Sequence, residues 1–178
     1  SAVRGMGDRA LLWVIPLYLS QELGFGGFWV GVHVALLAIP GIISGPIFGV
    51  LSDLTSRKLV ITFIMATAAF LPISIVLGGA TIVMTISIAL FGLFLFSVNS
   101  LTQAAAIDVA ESKGLEATFI GLMWGSNALF GAIASIAAGA LVGVFGWQSA
   151  FYFSAILFAI GFVSSLMMPS NLVQRTSE

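Results

Sequence analysis

The sequence predicts an all-α integral membrane protein, a bundle of six transmembrane helices. Of its 178 residues 60% are hydrophobic and only 7% are charged, and the mean hydropathy is +1.16. So few polar side chains cannot cover a water-facing surface. The apolar residues fall into six runs, each near the ~20 residues that a helix needs to cross a hydrocarbon core of ~30 Å. Strands of a transmembrane barrel would alternate apolar and polar over about 10 residues. These runs do not alternate.

The first run covers residues 2–20 and closes on Gln21, Glu22 and the glycines Gly24, Gly26 and Gly27. A second spans 28–51, through Pro40 and a row of glycines, and a third spans 59–77 and turns at Gly78 and Gly79. The fourth starts at Thr81 and is long: it passes Asn99 and Gln103 and continues through Asp108 and Glu111 to Lys113, where Gly114 ends it. The fifth covers 117–145. After the turn at Gly146, Trp147, Gln148 and Ser149, the sixth runs to Pro169. The bundle is therefore expected over 1–169, with 170–178 as a polar cytoplasmic tail.

Orientation follows from the basic residues. Arg4, Arg57, Lys58, Lys113 and Arg175 all fall on the side that holds both ends, and the three opposite turns contain no Lys or Arg. Cytoplasmic loops carry the basic excess, so both termini are expected in the cytoplasm. The expected location is the inner (plasma) membrane of a bacterium. A net charge of -1 makes no electrostatic case for nucleic acid, and the absence of cysteine removes thiolate metal sites and disulfides. No motif asks for a cofactor or a metal, and no nucleophile, zinc or phosphate-loop signature points to an enzyme.

Gly41, Gly45 and Gly49 recur every fourth residue and lie on one helix face, where they allow a second backbone to approach closely. Gly131, Ser135 and Gly139 form a second such stripe on the fifth run. Directly after the first stripe comes Gly49-x-Leu51-x-Asp53-x-x-x-Arg57-Lys58. This stretch resembles the signature loop that joins the second and third helices of each half in the major facilitator superfamily. The family pattern carries a basic residue where Leu54 stands and a glycine where Ser56 stands. The turn from Val144 to Phe151 is similar to the last extracellular turn of many such transporters.

The resemblance implies one six-helix half, the carboxy-terminal one, of a twelve-helix fold around a central cavity. It implies that the half is itself two inverted three-helix repeats. Internal symmetry in the sequence is weak, since Pro16 and Pro40 have no clear counterparts in the second repeat. It also implies a partner for the two stripes: the amino-terminal half of the same transporter, or a second copy of this bundle.

Asp8 and Arg9 are the charges that lie deepest. Arg9 is thirteen residues inward from Glu22, about 20 Å at 1.5 Å per residue. An ionisable group at that depth faces a cavity or a partner, because hydrocarbon does not solvate it. The alternatives are that the first helix begins deeper in the cytoplasm, or that Asp8 and Arg9 pair with each other or with a neighbouring loop. Asn127 lies about 15 Å into the fifth run, with Trp124 one turn away as an aromatic wall, and Asn99 and Gln103 share a face of the fourth. Asp8, Arg9, Asn99, Trp124 and Asn127 are the candidate substrate-binding residues, although polar glue between helices is an equal reading of Asn127. His33, the only histidine, reads as a satisfied polar residue at the outer end of the second run.

A small molecule crossing the bilayer by alternating access is the expected function, with proton-coupled efflux of a metabolite or drug as its specific form. The alternatives are an ion-coupled symporter for a sugar or organic acid, and a non-transporting structural subunit of a membrane complex.

Overall fold

The computed structural model describes residues 2–111 and 114–167, with the side chains of 2–4, 108, 109 and 111 outside the description. Six helices follow one another: α1 (Ala2–Leu17), α2 (Gly27–Leu54), α3 (Arg57–Gly78), α4 (Ile82–Glu111), α5 (Glu116–Phe145) and α6 (Trp147–Leu166). Among the described residues there is no strand. Five of these helices, α2 to α6, are long and apolar enough to cross a membrane by themselves. The first is built differently. Pro16 lacks an N–H and its ring crowds the carbonyl four residues back, and just beyond it the coil widens into a π-helical turn, Tyr18–Glu22, whose wider spacing ends with Leu23 N–H donating to Tyr18 O. Together the two pieces cover residues 2–22, about 31 Å at 1.5 Å per residue.

The other boundaries fall within a few residues of expectation, with one informative exception. Arg57 and Lys58 are not in a loop. The Ser56 hydroxyl accepts the Leu59 N–H and caps α3 from just ahead of it, so the basic pair occupies the first turn of α3 and Asp53 the last turn of α2. Only Thr55 and Ser56 connect the helices. Gly114 and Gly146 take positive φ, 63° and 82°, in the turns before α5 and α6, which only glycine accepts cheaply. Arg4, Asp108, Glu111, Lys113, Pro169 and Arg175, all part of the topology reading, lie outside the residues or side chains described.

The helix pairs obey a rule. α2 packs chiefly on α4, and α1 on α5; α1 also meets α6, as α4 meets α3; α2 touches α3, as α5 touches α6; and α3 lies on α6. Exchanging the first three helices with the last three maps this pattern onto itself. The close crossings obey the same exchange. A Cβ on Gly5 would meet Asn127, and one on Gly92 would meet the Leu37 backbone; a Cβ on Gly131 would meet the Arg9 stem, and one on Gly41 the Phe96 ring. Gly5 and Arg9 thus correspond to Gly92 and Phe96, 87 positions on, and Leu37 and Gly41 to Asn127 and Gly131, 90 on. The two three-helix units are inverted repeats. On the same shift Gly45 corresponds to Ser135 and Gly49 to Gly139, so the two small-residue stripes are one feature repeated.

The core lies along α1, α3, α4 and α6, where Leu11, Ile15, Ile64, Ile75, Ile88, Phe91 and Phe158 are fully enclosed. Helices α2 and α5 flank it and bury only 17% of their apolar windows, against 50% for α3 and α4. Side-chain hydrogen bonds tie neighbours together where apolar packing alone gains little over lipid: Ser44 to Leu93 O at 2.7 Å, Ser74 to Ser87 at 2.9 Å and Ser165 to Thr62 at 3.0 Å.

Candidate substrate-facing site

Asp8 and Arg9 are neighbours in sequence and strangers in space. Consecutive helical residues are about 100° apart around the axis. Asp8 points into the bundle, 6% exposed, beside a small cavity whose other lining residues are all apolar: Ile64, Met65 and Ala68 of α3, Phe91, Phe94, Leu95 and Val98 of α4, and Phe158 of α6. Arg9 is exposed, its stem laid across Gly131 of α5, and among the described residues it has no ion pair. The two are therefore not the mutually neutralising pair that adjacency allowed.

Asn127 is 4% exposed and sits in the α1/α5 crossing, where the space left by Gly5 receives its side chain. Its Oδ1 has no hydrogen-bond partner among the described residues. Since Gly5 lies beside Asn127 and Arg9 beside Gly131, α1 and α5 run parallel in this register, and Asn127 lies one turn from the Arg9 contact. Trp124 is exposed, so it and Asn127 point to different surroundings. Asn99 is half-buried and its Nδ2 donates to its own helix, at Leu95 O, 3.1 Å away.

Two exposed aromatic residues escaped the sequence reading. Trp13 lies four positions on from Arg9, on the same face of α1, and is 68% exposed. Phe96 is the counterpart of Arg9 in the second repeat and is 39% exposed. The i, i+4 spacing of Arg9 and Trp13 was a visible signal; the place of Phe96 was not.

The signature segment is a surface feature of the helix ends. Asp53 Oδ1 and Arg57 Nη2 are 3.6 Å apart across the two-residue connection, an i, i+4 pair with Asp53 exposed and Arg57 mostly covered. Such a pair also offsets part of the unfavourable placement of a cation at a helix N-terminus. Gly49 and Gly139 face open space, Gly45 has only the Ser100 hydroxyl at 3.6 Å, and Ser135 donates to Gly131 O at 2.9 Å. Gly41 and Gly131, the first members of the stripes, are used inside the chain.

At the far end of α2, His33 is buried between Trp29 O, 2.8 Å from Nδ1, and the Thr85 hydroxyl, 3.0 Å from Nε2. A carbonyl only accepts, so Nδ1 carries the hydrogen and, in the neutral ring, Nε2 accepts from Thr85. His33 is a clasp between α2 and α4. Among the described residues no group of three His, Cys, Asp or Glu is placed to hold a metal.

The family model of the Major Facilitator Superfamily matches residues 1–175. The chain belongs to the Major Facilitator Superfamily. No curated protein matches it at a significant level. Membership makes this chain part of a membrane transporter, and the inverted repeats, the six-helix bundle and the Gly49 to Lys58 segment take their meaning from that.

Proposed function

We propose that this chain moves a small molecule across the membrane by alternating access, with Arg9 as the residue that meets the substrate. The observation that carries the reading is an exposed guanidinium on α1 without an ion pair among the described residues; thirteen residues before Glu22, it would lie about 20 Å from the outer boundary in a spanning helix. Asn127 acts through Arg9: lodged against Gly5, it holds α1 on α5 in the register that lays the Arg9 stem across Gly131. The partner bundle that closes the other side of the path is an amino-terminal half or a second copy, docked on the sparsely buried α2 and α5.

The specific form we propose is proton-coupled efflux of a metabolite or drug. Asp8 supports it, as the carboxyl that the described spans bury most deeply, beside a cavity lined otherwise by apolar residues only. Intramembrane carboxyls of this kind serve proton relays.

The test uses the transporter in sealed vesicles and compares pH-driven transport with exchange at equal pH. Arg9→Gln should insert at normal levels and lose both. Asp8→Asn should lose the pH-driven component and keep exchange. Normal transport by Arg9→Gln at matched expression would remove Arg9 from the site, and an unchanged pH response in Asp8→Asn would remove the coupling role.

A further inference from the structure

We infer that the site built on Arg9 takes an organic anion with a flat apolar body, an inference that rests on the transport reading above. Asp8 and Leu95 correspond in the two repeats and line the same interior cavity, so α1 and α4 face one another at that level. The residues that follow them, Arg9 and Phe96, are each turned about 100° away. A two-fold axis lying in the membrane plane preserves direction along itself, so the two side chains emerge on the same side of the α1/α4 pair.

That side is the one away from α3 and α6, which pack behind α4 and α1, and it is flanked by α5 beside Arg9 and α2 beside Phe96. Depth agrees. Arg9 is thirteen residues from Glu22 and Phe96 is fourteen from Ile82, each about 20 Å from the outer boundary. Trp13 stands one turn outward from Arg9 on the face that Arg9 requires to be wet, so its exposed ring belongs to the same surface and not to lipid.

The surface therefore offers one fork of N–H donors flanked by two aromatic rings. A guanidinium binds a carboxylate, sulfonate or phosphate oxygen pair with two parallel hydrogen bonds. Trp13 and Phe96 offer stacking or edge contact to a ring held by that anchor. A small inorganic anion leaves both rings unused, and a neutral ring leaves the cation unpaired.

Direct binding to the transporter in lipid nanodiscs distinguishes these, with 2-naphthoate as the probe, 2-naphthalenemethanol as its neutral analogue and propionate as an anion without a ring. 2-Naphthoate should bind at least about tenfold tighter than either. Arg9→Gln should abolish the preference over the neutral analogue, and Arg9→Lys should keep part of it, which separates loss of charge from misfolding. Trp13→Ala and Phe96→Ala should each weaken 2-naphthoate about fivefold and leave propionate unchanged. Equal binding of 2-naphthoate and 2-naphthalenemethanol, or no effect of either ring removal, overturns the inference. Transport of another solute that depends on Arg9, without any anion preference, overturns this assignment and keeps the transport reading. Anion binding as expected, without solute movement in vesicles, keeps the site and overturns transport.

Discussion

The stem of Arg9 lies across Gly131, in a space that a methyl group would fill. The contact aligns two things: the crossing of α1 and α5, and the place where the guanidinium leaves the bundle. It also separates the members of a stripe that look alike in sequence, since Gly139, two turns on, has open space beside it.

Gly131→Leu should lower the melting temperature of the solubilised protein, by the equivalent of about 1–3 kcal/mol for an overpacked contact, and displace Arg9. Gly139→Leu, which meets nothing within this chain, should lower the melting temperature less. Equal effects of the two substitutions would show that the α1/α5 crossing is not where the difference arises.

The counterpart crossing is tighter, because a Cβ on Gly92 would run into the Leu37 backbone and not into a side chain that can turn away. Gly92→Ala should therefore destabilise by about 1–3 kcal/mol despite the gain in helix propensity that alanine normally brings. Thermal unfolding followed by circular dichroism reads the sign; a variant as stable as the parent would contradict the close approach of α2 and α4.

His33 and Thr85 join α2 to α4 through one hydrogen bond of 3.0 Å. A double-mutant cycle with His33→Ala and Thr85→Val should give a coupling of about 0.5–2 kcal/mol, in the range of polar contacts between membrane helices. Strict additivity of the two losses would mean that the clasp carries no energy.

The Ser56 and Gln148 positions lie at opposite ends of the helices, Ser56 ahead of α3 and Gln148 in the first turn of α6. With the basic residues on the side of Ser56, that side is expected in the cytoplasm. Cysteines placed by Ser56→Cys and Gln148→Cys, in a chain that has none of its own, should react with an impermeant reagent from opposite faces of sealed vesicles. Reaction of both from one face would refute the topology.

The sequence by itself determined the class and the six helical runs, five of them long and apolar enough to cross a membrane, because long apolar runs have no other home than a bilayer and need no tertiary information to be recognised. It also located the glycine stripes and the Gly49 to Lys58 segment, whose spacing is local. What the tertiary structure decided is which way each of these faces. Asp8 and Arg9 looked like a pair because they are adjacent, yet a helix turns neighbours about 100° apart, one into the core and one out of it. The internal repeat was hidden for a related reason. Packing preserved the glycine at each crossing, Gly5 with Gly92 and Gly131 with Gly41, while what meets the glycine changed from the Asn127 and Arg9 side chains to the Leu37 backbone and the Phe96 ring. Close approach of two backbones constrains only the small residue, so the symmetry survives in the distances between helices and not in the letters of the sequence.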